Sequence, residues 1–146
     1  MNLWTCEILS LFSFVRRLGL YQATRIEICS RRGNEKDTWN RAVLTCDPRI
    51  DYNIISQQLV AEVLQARVQP IDEKMDSYVH TYDRGEKVVG YVDLTWCLEK
   101  NNRRMQTTRF WVTSTENPCY DAILGRKDAE RCGLVKHKWG CLVGHA

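Results

Sequence analysis

Thr45-Cys46-Asp47-Pro48-Arg49-Ile50-Asp51-Tyr52-Asn53-Ile54-Ile55-Ser56 is the stretch on which the reading of this chain turns. An apolar run, Ala42-Val43-Leu44, leads into it. A segment with helical spacing, Gln57 to Gln69, follows it. The pattern sets an aspartate, Asp47, where a buried strand ends and a turn begins. That is how a sheet presents a reactive group on a rigid support. A second aspartate, Asp51, comes within the turn, before the apolar pair Ile54-Ile55. The Ser56 hydroxyl can cap the following helix, and Pro70 ends it.

Upstream, Arg25-Ile26-Glu27-Ile28-Cys29 alternates and predicts a strand. Arg31 to Asp37 is polar and carries a turn signal at Gly33. Trp39 to Cys46 is then the returning strand of a hairpin that delivers Asp47. Downstream, Ile71 to Ser77 predicts a loop. Tyr78-Val79-His80-Thr81-Tyr82 and Lys87 to Cys97 predict two strands joined by the turn Asp83-Arg84-Gly85-Glu86. Glu99 to Arg104 predicts a charged turn, and Met105 to Ser114 alternates as a strand. Thr115 to Pro118 turns the chain into a short buried strand, Cys119 to Leu124. Gly125 then allows close backbone approach, and Arg126 to Cys132 predicts a short helix ended by Gly133.

The chain has 146 residues, enough for one domain with a real core, and a net charge of +3, too small to argue for nucleic acid by itself. Cys6, Cys29, Cys46, Cys97, Cys119, Cys132 and Cys141 are scattered and never spaced as a metal clip. Free thiols in a reducing, intracellular compartment (cytoplasm or nucleus) follow, with no metal and no cofactor expected. Ile8 to Val15 is apolar but far short of the roughly 20 residues of a membrane helix, and no cleavage signal follows it. Trp4, Ile8, Leu11, Val15 and Leu18 fall at helical spacing. They predict an amphipathic helix that packs on its own domain, meets a partner or membrane surface, or stays a tail.

Two segments together resemble the retropepsins, the single-lobe aspartic proteases of retroviruses and retrotransposons. In that family an apolar pair precedes Asp-Thr/Ser-Gly-Ala, then an Asp, apolar residues and Ser. The second segment here, Tyr120-Asp121-Ala122-Ile123-Leu124-Gly125-Arg126-Lys127-Asp128, resembles the family's apolar-Asp-Ala/Val-Ile-Leu-Gly-Arg signature. The chain is most similar to divergent retropepsin-like domains of retrotransposon-derived fungal proteins. The resemblance covers residues 25–134. It implies a mostly-β, single-lobe barrel with one short C-terminal helix. Residues 1–24 are then an N-terminal extension, and 135–146 a tail or terminal strand that joins a dimer sheet.

The resemblance also assigns roles. Asp47 is the catalytic position, working only as a pair across a homodimer. Pro48, Arg49 and Asp51 form the active-site loop. Asp83, Arg84 and Gly85 form the tip of a flap over a peptide or protein ligand. Asp51 pairs with Arg126, stapling the loop to the C-terminal helix, with Gly125 beside it. The departure lies at Pro48-Arg49, where the family has Thr/Ser-Gly. Pro48 lacks the hydroxyl that locks two loops together. Arg49 replaces a glycine whose backbone donates to the carboxylate, and it adds a cation that opposes a shared proton. The expected function is thus an inactive retropepsin-like domain serving as a binding or dimerisation module. An active homodimeric aspartic endopeptidase is one alternative. Another is a nucleic-acid-associated retroelement remnant, with contacts at Arg16-Arg17, Arg31-Arg32 and Arg103-Arg104.

Overall fold

A computed structural model describes residues 21–31, 35–72, 87–114 and 119–134. Six strands close into a barrel in the order β1-β2-β6-β3-β5-β4. They are β1 (Tyr21–Ser30), β2 (Thr38–Asp47), β3 (Ile54–Ser56), β4 (Lys87–Leu98), β5 (Asn101–Ser114) and β6 (Ala122–Gly125). One short helix, α1 (Arg126–Arg131), follows β6. Among the described residues, this is the mostly-β barrel with one short C-terminal helix that the resemblance implies. Among the described residues, no helix is long and apolar enough to cross a membrane.

Alternation builds the core. Ile26 and Ile28 of β1, Val92, Leu94 and Trp96 of β4, and Phe110 and Val112 of β5 point inward and are buried. Trp96 satisfies its ring N–H on Thr108 Oγ1 at 2.9 Å. β2 alternates only at first. From Leu44 to Asp47 every residue is buried, because a second apolar cluster covers the outer face of this part of the sheet. A smaller cluster of Ile54, Tyr120 and Ile123 packs there, against Val43, Ile50, Tyr52 and Trp111.

The predicted hairpin is present as β1 and β2, and the later strands as β4 and β5. Four details differ. Asn101 to Arg104 belongs to β5, and only Glu99 and Lys100 form the turn, so charged side chains stand on a strand face open to water. The buried strand before the helix starts at Ala122, while Cys119 is exposed. β3 is an additional strand where an apolar pair alone was evident. The helical segment after Ser56 is one wide π-type turn, Leu59–Leu64, and stops well before Pro70. Ser56 Oγ does accept a bond from Leu59 N–H, at 3.2 Å. Gln65, at φ 49°, ends the turn, and Gln69 then pairs its backbone with Tyr91 of β4. That backbone pairing draws residues 65–69 out of a helical path. Gly133, at φ 73°, takes the left-handed position after α1, as the sequence predicts.

Candidate functional site

Asp47 sits at the end of a seam. β2 and β6 run parallel, with Cys46 opposite Leu124 and Asp47 opposite Gly125. Residues 48–53 then cross over the start of α1. Arg126 N–H donates to Ile50 O at 2.9 Å, closing that crossing. The two backbones touch at Gly125. A Cβ there would lie 2.7 Å from Tyr52 O and 2.9 Å from Tyr52 N, so no side chain fits without moving backbone.

Asn53 fastens the crossing and was invisible in the sequence as a site residue. It is 5% exposed. Its Oδ1 accepts from Gly125 N–H at 2.8 Å, and its Nδ2 donates to Arg109 O at 3.0 Å and to Asp128 Oδ2 at 2.6 Å. Its backbone O accepts from Trp111 N–H at 2.8 Å. One side chain thus joins β5, β6 and α1. Asp121 works similarly at the other end of β6. Its Oδ2 accepts from Val43 N–H and its backbone O from Ser56 N–H, both at 2.9 Å. The sequence signal for Asn53 was only a polar residue adjoining an apolar stretch, whereas Asp121 stood in the second segment's Asp-Ala-Ile-Leu-Gly signature without an assigned role.

The Asp47 carboxylate is 1% exposed and in contact with its own turn. Arg49 Nε donates to Oδ1 and Arg49 Nη2 to Oδ2, each at 2.9 Å, a two-pronged ion pair. Arg49 N–H also donates to Oδ1, at 3.0 Å. The expected loss of the backbone donor is therefore corrected: arginine keeps the N–H that glycine would offer, because that bond needs only the turn. The arginine side chain is 54% exposed, so the cation lies across the surface side of a buried anion. Pro48 is half-buried at the first turn position.

Asp51 Oδ1 lies 3.4 Å from Arg126 Nη2, with the side chains 62% and 53% exposed. The loop is bound to α1 mainly through backbone and Asn53, and this surface pair lies over them. Asp83, Arg84 and Gly85 lie outside the described residues, as do residues 1–20, the strand predicted over Tyr78 to Tyr82 and residues 135–146. Among the described residues, no group of three His, Cys, Asp or Glu side chains could hold a metal ion. Cys46, next to Asp47 but facing the core, has its thiol pushed up to about 12 by burial and by nearby Cys132.

A groove of about 1050 Å³ opens on a different part of the barrel, lined by Cys29, Trp39, Arg67, Tyr91, Asp93 and Met105 among others, and not by Asp47.

A scan of protein-family models matches none to this chain, and a search of curated proteins finds no match. Among solved structures, the chain is similar to the crystal structure of the retroviral protease-like domain of Ddi1 from Leishmania major. The two share 14% identity with a TM-score of 0.47, over 76% of this chain and 78% of that one. Among the described residues, the strand order, the strand ending in Asp47 beside the strand before the helix, and the short helix that follows together make a retropepsin-like fold.

Proposed function

We propose that this chain is a retropepsin-like domain without a working catalytic dyad, acting as a binding or dimerisation module. One observation carries the reading: both oxygens of buried Asp47 are held by Arg49. Aspartic proteases are the standard case of two carboxylates sharing one proton. A guanidinium bound through both oxygens favours the anion and occupies the lone pairs that a shared proton and a water would need. Pro48 adds no hydroxyl to lock a partner's loop.

The alternative is an active homodimeric aspartic endopeptidase using Asp47 from each chain. It is favoured by the seam that sets Asp47 at a strand end, and by the Arg49 N–H that still supports its carboxylate.

A peptide-cleavage assay at acidic pH separates the two. The wild-type chain should be inert. Pro48→Thr combined with Arg49→Gly should gain acid-favoured cleavage that Asp47→Asn abolishes and that falls more than linearly on dilution. Neither single change should suffice, because one leaves the cation and the other leaves the loops unlocked. Wild-type cleavage lost in Asp47→Asn would establish the active reading instead.

A further inference from the structure

We infer that the groove between β1 and β4 is a binding site for an extended, acidic peptide segment of a partner protein, which adds as a strand to the free edge of β4. The proposal rests on the binding half of the reading above and not on the loss of catalysis.

Among the described residues that edge is open, for a geometric reason. β1 pairs with β4 only from Ile26↔Leu98 to Ile28↔Trp96. Beyond that point the strands part, and Cys29 and Ser30 of β1, Arg31 after it, and Asp93 and Thr95 of β4 line the groove between them. Further along, β4 is paired again, because Tyr91 and Gln69 exchange both backbone hydrogen bonds, at 2.8 and 3.0 Å. Residues two apart on a strand turn their backbone groups the same way. Tyr91 bonds Gln69 and Cys97 faces Glu27, so Asp93 between them offers its N–H and C=O to the same side. Among the described residues, no strand pairs with Asp93 on that side. The unpaired span, Val92 to Thr95, is roughly 13 Å of strand, room for a few residues of an extended segment. Its volume of about 1050 Å³ reaches the top of the ~300–1,000 Å³ range of ligand pockets.

The side chains specify what fits. Trp39 and Met105 line the groove and are 41% and 49% exposed, two of the three large apolar side chains left open among the described residues. They suit the apolar side chains of alternate peptide residues. The lining carries two arginines and two aspartates, and both aspartates are already bound. Asp37 is bound through both oxygens by Arg31, and Asp93 by Arg109. Arg67 is left exposed with no acidic partner among the described residues. An acidic side chain on the peptide complements it.

The test uses the full chain and short fluorescein-labelled peptides of alternating Val and Thr, with one Glu walked along the sequence. Amide shifts by NMR should move at Cys29, Asp93 and Thr95. Binding should depend on the position of Glu. Arg67→Glu, a surface change compatible with folding, should weaken the best peptide about ten-fold, and Trp39→Ala similarly. Methylating the peptide amides that face β4 should abolish binding, while methylating the alternate set should not. Equal binding by both methylated sets, or shifts confined to residues 47–53, would overturn the proposal. So would salt-sensitive binding of single-stranded DNA at the same amides. Groove shifts on concentrating the protein alone would make the occupant a second copy. An Asp93 amide already protected from exchange without peptide would make it part of this chain. Either result overturns the partner assignment. A dimeric protein that binds no peptide removes this site and leaves the module reading standing. Cleavage through Asp47 removes that reading and leaves the groove.

Discussion

The Gly125 junction and the Arg49 turn lie on either side of the same strand end, and they are built by opposite means. At Gly125 two backbones meet with no room for a methyl group, and buried Asn53 satisfies groups from three elements. At Arg49 a half-exposed side chain reaches back across the surface to a carboxylate. The first arrangement tolerates almost no change, because backbone cannot move aside cheaply. The second depends on a single rotamer of a long side chain. The barrel's frame and the chemistry at Asp47 are therefore separable. The chain can carry Pro48-Arg49 without disturbing the seam that positions them.

Substitutions at the junction should have the largest effect. Asn53→Ala leaves the buried Gly125 N–H and the part-buried Arg109 O without their partner and should cost about 3 kcal/mol in urea unfolding. Gly125→Ala should follow at about 2 kcal/mol, from forced backbone displacement. Equal losses from Arg49→Ala would break the contrast. That change should cost about 1 kcal/mol, since solvent screens the exposed guanidinium and the Arg49 N–H bond survives it. Smaller still is the Asp51–Arg126 pair. Its length and exposure predict a double-mutant coupling energy below about 1 kcal/mol, and a larger one would make the surface pair part of the frame.

The remaining effect is a pH dependence that shows only in alkali. The folded thiol of Cys46 titrates at about 12, above its ordinary value of 9.0. The protonated thiol is favoured by folding, so its contribution is complete below 9.0 and is lost as pH rises from there towards about 12. Urea midpoints measured across that window should fall less steeply in Cys46→Ala than in the wild type, after correction for the other buried thiols.

The sequence made the frame legible wherever pattern is local. Ile26 and Ile28 alternate, Lys87 to Cys97 is rich in β-branched and aromatic residues, and Gly133 marks a helix end. It was least informative where distant residues decide. β3 has three residues, all buried, and so short an apolar run has no period to read. The turn after it stops at Leu64 because Gln69 pairs with Tyr91, a partner remote in sequence. Asn53 looked like one more turn residue. Its importance comes from Gly125, Arg109 and Asp128, which only the folded chain brings together. At the site, Asp47, Arg49 and Gly125 could be named from motif alone. That the arginine would hold both carboxylate oxygens, yet keep the backbone donor, depends on a turn geometry that residue identity does not encode.

The parallel seam has a consequence for how the chain reaches its fold. β1 and β2 form a local hairpin, but Thr45 bonds to Ala122 across 77 positions of sequence. Closing so long a loop costs entropy that no local contact offsets, so this pairing belongs to the slow part of folding. During synthesis, β2 leaves the ribosome well before β6 exists. The outer edge of Leu44 to Asp47 waits unpaired in that interval, an apolar template open to other chains. Growing chains are therefore most prone to aggregate between completion of β2 and the arrival of Ala122, and any truncation inside that interval fixes the chain in the vulnerable state.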